Sequence, residues 1–522
     1  MILFSPELLF DSAPLGVDRP ALAVAAEALS VFQHAGVLGT RLNLAVHAED
    51  PVEAARAEQR VLARIAALDR TLNWRDPASE LSRLNASLAM TASPDLFAVV
   101  EAAENWRIRS GGAFSGRLGR IHDLWRDLGR ASRSTPDRAQ LARLAAEADR
   151  ARVELDPADR TIVHPDAVRF DLDAVAKGYI VDRALEAAMQ SPAIRGALLD
   201  IGGDIRCAGA PPGAETWFIG LPDPLHDVDN APLLGGFSIR DRAVATSGFG
   251  PRTLGAEAPQ ANAEVDASPL GTIINPRSGW PAPRRRSATV VADTAAEADA
   301  LATTLVALSV EDGRDIIRSS PNASARVSNG VRADWLSADA TGAPPPEWIP
   351  VQAKPPGRSV QTSPAPGEQT WPEGWVAYTT FQAPPRQRKR DPSFRSPYVA
   401  IWISDADNRP IRTLLLVGTI KEWHQDNFIW WSLNRGRAMQ LLAARSMSTR
   451  GSGEYRVLWD GADDAGKMMP AGKYVMHVET SRERGRHTHR SLVIDATGAK
   501  TSDSELPQTE EAGGLSVSFL KY

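Results

Sequence analysis

Two short stretches hold residue types suited to phosphate and metal chemistry. Residues 171–179 read Asp-Leu-Asp-Ala-Val-Ala-Lys-Gly-Tyr, preceded by a strand-like Val-Arg-Phe-Asp-Leu. The pattern predicts a helix running to about Met189, with Asp171 or Asp173 able to cap its start. A helix N-terminus offers free N–H groups and a partial positive charge, which suits a phosphate, and Lys177 adds a cation one turn in. The same residues equally describe an ordinary capped helix with an exposed lysine. In the second stretch, Asp299 and Thr303 lie four apart on a helix predicted over 295–309, so their oxygens share one face. A carboxylate, a hydroxyl and a backbone carbonyl would form the incomplete oxygen cage that Mg2+ favours when it keeps waters or phosphate oxygens. The plainer alternative has Thr303 bonded within its own helix and Asp299 facing water.

Other stretches narrow the chemistry by what they lack. Gly202-Gly203, Thr246-Ser247-Gly248 and Asn275-Pro276-Arg277-Ser278-Gly279 mark turns that let a backbone approach a ligand closely. None fits a P-loop, and no G-x-G-x-x-G opens a helix, so a dinucleotide would bind outside the Rossmann scheme. No hydrolase triad and no H-E-x-x-H pattern is present, and the sequence names no catalytic base. His487 and His489 read as a solvated pair on a strand.

The elements that must position these residues fall into two parts. Helices are expected at 51–70, 95–109 and 137–153, the first with Val52, Ala55, Val61, Ile65 and Leu68 near one face. Residues 196–207 read as two strands joined by Gly202-Gly203, and 287–292 as a buried strand. Together they predict an α+β fold without regular βαβ alternation. Residues 341–370 are proline-rich and read as a linker. Beyond it, apolar runs at YVAIWISD, Ile411 to Val417, YRVLWDG and KYVMHVET are separated by Asp, Asn, Gly and Pro, which suggests a β-sandwich. The basic run Arg386 to Arg390 reads as a solvated loop.

At 522 residues the chain is too long for a single core. Its 59 basic and 64 acidic side chains leave a net charge of −5, which argues against nucleic acid as the main partner. The single cysteine, Cys207, excludes an intramolecular disulfide and a cysteine-based zinc cluster. There is no apolar stretch long enough to span a membrane as a helix, and no secretory signal is read in residues 1–16, which carry Glu7 and Asp11 and no basic residue.

Seven segments taken in order carry a resemblance that none carries alone. They are Ser79 to Asn85, Gly112-Ala113-Phe114-Ser115-Gly116, Asp171 to Gly178, Ile201-Gly202-Gly203-Asp204, Ala245 to Gly248, Ile273 to Gly279, and Ala298 to Thr303. The series resembles the FAD:protein FMN transferases, the ApbE-type flavin transferases, over residues 36–310. The resemblance implies a chain that uses Mg2+ and FAD and moves FMN onto a threonine of a target flavoprotein as a phosphoester, releasing AMP. It implies FAD contacts at Trp74, Ala113, Phe114, Ser115, Asp171, Lys177 and Ile274, with Trp74 stacking on a flat ring. It also implies metal ligation by the Ala174 carbonyl, Asp299 and Thr303. Ser115, Asn275 and Phe249 stand where the family commonly has aspartate, and Thr272 where many members have a histidine thought to activate the acceptor hydroxyl. Ala302 replaces a residue that also binds the metal in some members. Each departure removes a charge or a base, so the alternative is an FAD-binding module, non-catalytic or weakly hydrolytic, with a β-rich partner-docking domain. The resemblance also implies a periplasmic or membrane-associated setting.

The expected organisation is therefore an N-terminal extension at 1–35, an FMN transferase-like domain at 36–340 with mixed sheets and helices, a linker at 341–370, an all-β sandwich-like domain at 371–497 that resembles a small domain found beside such transferases, and a tail at 498–522.

Overall fold

Near-continuous apolar runs, buried on both faces, build a central sheet between two layers. The computed structural model describes residues 29–130, 136–223, 228–231, 233–248, 270–283, 286–329, 332–339, 342–350, 370–383, 397–418, 425–435, 446–447, 454–481, 487–508 and 513–521. Its first part runs β1 (Leu29–Val37), β2 (Thr40–Ala48), α1 (Pro51–Leu72), α2 (Glu80–Asn85), β3 (Ala89–Thr91), α3 (Pro94–Arg109), α4 (Gly119–Arg130), α5 (Arg138–Arg150), β4 (Glu154–Asp156), β5 (Thr161–Val163), α6 (Asp173–Ala188), β6 (Ile194–Ile201), β7 (Asp204–Gly209), β8 (Trp217–Pro222), β9 (Leu233–Ile239), β10 (Ala243–Ser247), β11 (Leu270–Ile274), β12 (Pro281–Pro283), β13 (Ser287–Ala292), α7 (Ala295–Ala307), α8 (Val310–Arg318), β14 (Ser324–Ser328), β15 (Ala333–Ser337) and β16 (Trp348–Pro350).

The central sheet has the order β1-β2-β6-β7-β10-β13-β14-β15. Leu44, Val46, Leu199, Ala245 and Val290 point to one face and pack under α1, α3, α6 and α7. Ala45, Leu198, Val244 and Val291 point to the other, against Trp217, Ile219 and Phe237 of the small sheet β16-β9-β8. Cys207 is buried in this second layer. The α1 stripe is Ala54, Ala57, Val61, Ile65, Leu68 and Leu72. Val52, expected on that face, is 60% exposed because it sits in the first turn beside the Asp50 cap.

The second part adds β17 (Trp375–Gln382), β18 (Tyr398–Ser404), β19 (Pro410–Val417), α9 (Phe428–Leu433), β20 (Ser446–Met447), β21 (Glu454–Trp459), β22 (Lys473–Ser481), β23 (Thr488–Asp495), β24 (Ser502–Leu506) and β25 (Leu515–Lys521). Two sheets, β21-β17-β25-β24 and β20-β19-β18-β22-β23, enclose one apolar core that includes Ile401, Ile403, Trp459, Met476, Val478 and Phe519. The α+β first part and the all-β sandwich-like second part are thus both present.

The expected boundaries need three corrections. Residues 29–35 are not extension but strand, since β1 pairs with β2 along its length. Residues 498–522 are not a tail: β25 lies between β17 and β24, with Leu515, Val517 and Phe519 buried at period two. Within the expected linker, residues 348–350 form β16 against β9, held by Trp348 on Phe237 and Trp335. Residues 351–369, the basic run at 386–390 and Phe249 lie outside the described residues. The two parts also touch. Asn230 accepts from the Leu458 amide at 2.9 Å and donates to its carbonyl at 2.7 Å, while Asp229 accepts from the Arg456 amide at 2.9 Å, so a first-part loop pairs with the edge strand β21.

Candidate functional site

Helices α6 and α7 pack side by side because Gly178 removes a side chain at their crossing. A Cβ there would lie 2.3 Å from the Ala295 carbonyl oxygen. Asp182, one turn further along α6, accepts the Ala295 and Ala296 amides at 2.8 and 3.0 Å and so caps α7 from outside. This junction brings the two sequence-predicted stretches together. Asp299 on α7 is 1% exposed and accepts the Gly178 amide at 3.1 Å. Lys177 lies between two carboxylates, pairing with Asp204 of β7 and reaching Asp299 Oδ1 at 4.0 Å. Asp299 therefore does not face water. Thr303 does not bond its own helix either. Its hydroxyl meets Ser247 Oγ at 3.1 Å, while it is Thr304 that donates to the Ala300 carbonyl.

The electrostatics of this junction are unbalanced. Burial, and then the charge of Asp204, hold the Asp299 carboxyl well above the usual carboxylate range, against the pull of Lys177. Burial likewise raises Asp204, and only Lys177 opposes it. Two buried carboxyl groups thus face one ammonium, and Thr303, bonded to Ser247, follows Asp299 by one turn of α7. An all-oxygen set whose buried carboxyls have too little positive charge beside them to ionise readily fits a hard divalent cation such as Mg2+. Among the described residues no group of three or more His, Cys, Asp or Glu side chains is arranged around a single metal position.

The α6 N-terminus differs from the expectation in its cap. Leu172 occupies the cap position without a side-chain hydrogen bond, and residues 168–172 form no strand beyond an isolated bridge between Arg169 and Leu118. Asp171, one position before the cap, divides its carboxylate between a histidine and the first amide of the helix. Its Oδ2 contacts His122 Nδ1 of α4 at 2.6 Å and its Oδ1 accepts the Asp173 amide at 3.2 Å. Burial pushes the His122 imidazole down, but the charge and hydrogen bond of Asp171, with Asp173 behind them, outweigh it and hold it above its ordinary value. Burial pushes Asp171 up, and the charge and hydrogen bond of His122 overcome it and hold Asp171 below the usual range. Asp173 stays above its usual range through burial and the neighbouring Asp171.

Trp74 reaches the same corner, donating from Nε1 to Asp173 at 3.2 Å. Its ring carries the guanidiniums of Arg75 and Arg126, with Cζ at 4.1 and 4.2 Å from the centroid. A flat ligand ring stacking on Trp74 would have to share it with those arginines. Ala113, Phe114 and Ile274 are placed differently. All three side chains are buried, Ala113 and Phe114 in the main core and Ile274 with Trp125 and Leu141, so what they can offer a ligand is backbone. Ser115 Oγ accepts the Arg117 amide at 3.2 Å. Ala113 joins Asn275, Arg277 and Leu308 around a cavity of about 150 Å³, and Arg277 donates to the Gly111 carbonyl at 3.2 Å, tying the two loops together. Asn275 is structural: it accepts the Arg277 amide and donates to the Ala307 carbonyl.

Sequence reasoning missed His122, Asp204 and Ser247 as site members. Asp204 and Ser247 lay inside quoted motifs and needed only the sheet to aim them. His122 had no local signal, since its partner is 49 positions away.

Residues 38–327 match the ApbE family, and residues 386–513 match a family described as predicted periplasmic protein, DUF2271. A FAD:protein FMN transferase of Treponema pallidum is 29% identical over 308 residues, covering 55% of this chain and 82% of the relative. Another, from Klebsiella pneumoniae, is 27% identical over 291 residues, covering 55% and 86%. The crystal structure of the ApbE protein of Thermotoga maritima shares the fold, with a TM-score of 0.51 and 23% identity over 59% of this chain and 97% of that one.

Proposed function

The chain belongs to the ApbE family, and on that footing we propose that it transfers FMN from FAD to a threonine of a target protein, with Mg2+ bound at Asp299, Thr303 and the Ala174 carbonyl. The observation that carries the reading is the buried, under-compensated pair Asp204 and Asp299 at the crossing of α6 and α7. When bound there, Mg2+ supplies charge neutralisation at a pyrophosphate. Lys177 holds the carboxylates in place and keeps a positive charge at the anion's edge. In the transfer, the threonine oxygen forms a bond to the phosphorus of the FMN half. The bond from that phosphorus to the bridging oxygen breaks, and AMP leaves with that oxygen. The hydroxyl proton needs an acceptor, and Thr272 is no base. We assign that role to His122, which Asp171 orients and which is 27% exposed.

FAD titrated into the protein with Mg2+ should quench tryptophan fluorescence saturably, because Trp74 borders the site. AMP should then appear only when an acceptor peptide is added. Saturable binding with no AMP under any acceptor would favour the binding-module reading, for which the residues at 115 and 272 supply the motive. Absence of saturable binding would remove both readings.

A further inference from the structure

The outer face of the C-terminal sandwich holds a second constellation of side chains that flavin transfer does not use. His489 is the second residue of β23 and His487 immediately precedes the strand, and both lie on the side of the sheet that carries His477 and Glu479 of β22. Each has its Nε2 fixed from beneath by β22. His487 Nε2 meets Glu479 Oε1 at 2.6 Å, and His489 Nε2 meets His477 Nδ1 at 3.0 Å.

The direction of each hydrogen bond can be followed. Glu479 is fully buried and already accepts the Ile429 and Trp430 amides at 2.9 and 2.8 Å, so it acts as an acceptor and His487 donates from Nε2. Ser404 spends its hydroxyl proton on the Asp405 carbonyl at 2.8 Å, so it accepts from His477 Nε2 at 2.9 Å. His477 Nδ1 is then an acceptor, and His489 donates to it from Nε2. Both imidazoles are left with a bare Nδ1 lone pair, and neither Nδ1 has a hydrogen-bond partner among the described residues. The rings are also held in plane. Trp402 stacks on His477 at 4.8 Å and 7° and on His489 at 5.7 Å and 16°, and Phe428 stacks on His487 at 4.1 Å.

We propose that His487 and His489 chelate one divalent transition-metal ion through Nδ1, with Glu479 and His477 as the groups that orient them. An imidazole that ligates a metal characteristically donates its other N–H to a carboxylate or a comparable acceptor, and both rings here do so before any metal is present. Two neutral nitrogens suit Zn2+, Ni2+ and above all Cu2+, and are poor ligands for Mg2+, so this site is chemically separate from the one at Asp299. Water fills the remaining positions.

The test uses the full-length, untagged chain, stripped of metal and titrated with Cu2+ by calorimetry, with electron paramagnetic resonance to count bound nitrogens. Wild type should bind one equivalent showing two nitrogen ligands. His487→Ala and His489→Ala should each weaken that binding, and the double variant should lose it. Ser491→Ala, next on the same face, should leave it unchanged. Ser404→Ala, which removes the acceptor at the far end of the chain, should weaken it by about 10-fold while melting like wild type. A folded double variant that binds copper as wild type does, with the same nitrogen signature, would overturn the proposal, as would a wild type that binds none.

Discussion

Replacing Asp299 with asparagine should abolish Mg2+-dependent AMP release while leaving the protein at least as stable as before in the absence of metal. The two halves of this expectation share one cause. The Asp299 carboxyl is buried beside Asp204, and burial holds it well above its ordinary 3.8. A carboxyl raised in the folded state contributes stability below its unfolded value and loses it as pH rises through the folded value. Above its unfolded value the carboxyl therefore costs the metal-free fold stability, and asparagine removes that cost while keeping an oxygen toward the Gly178 amide. The same change removes the charged metal ligand, so turnover should fall by at least about 10³-fold, and Mg2+ should no longer raise the melting temperature. Thr303→Val should cost less, because it deletes a neutral ligand and one hydrogen bond to Ser247. Melting curves with and without Mg2+, beside AMP release, check all of this. An Asp299→Asn variant that keeps wild-type turnover would place the metal elsewhere.

His122→Ala should lower kcat by about 10²- to 10⁴-fold with little change in FAD affinity, the loss expected when a general base is removed. The pH profile gives the sharper signature. Asp171 raises the His122 imidazole above its ordinary 6.5, and only the neutral ring can take a proton. The rate should therefore fall as pH drops through that raised value. Asp171→Asn removes the cause, so the acid limb should move to lower pH. Stability responds with the opposite sign. A histidine raised in the folded state stabilises below its unfolded value, near 6.5, and that contribution fades as pH rises through the folded value, so His122→Ala should be most destabilised in mild acid. A His122→Ala variant with an unaltered rate and unaltered acid limb would leave the proton acceptor to another group.

Much of this molecule could be read along the chain, and the failures have a common physical source. Helix α7 and strand β13 carry their own period and length, and the structure has them at Ala295–Ala307 and Ser287–Ala292. That Asp299 would stand near α6 was implied only by the family resemblance, and its partner there is the Gly178 amide. What could not be read depended on partners distant in sequence. His122 looks like any histidine on a polar helix until the chain brings Asp171 against it. The cap expected from Asp171 is reduced to a single bond, to the Asp173 amide at the start of α6, because its other oxygen is taken by His122. Strand β25 shows alternation at Leu515, Val517 and Phe519, but it follows a polar stretch and gains its meaning only between β17 and β24. Strand β16 is hidden in proline-rich sequence and depends on Trp348 finding Phe237 and Trp335.

The central claim is that a threonine receives FMN at this site. Its most direct test is intact-mass and fragment mass spectrometry of a threonine-bearing acceptor after incubation with the protein, FAD and Mg2+. The account predicts an acceptor heavier by one esterified FMN, mapped to the threonine hydroxyl, with an equal amount of AMP, and no adduct when Asp299→Asn replaces wild type. FAD consumed to FMN and AMP in solution, with the acceptor unmodified whatever threonine peptide or flavoprotein is supplied, would contradict it.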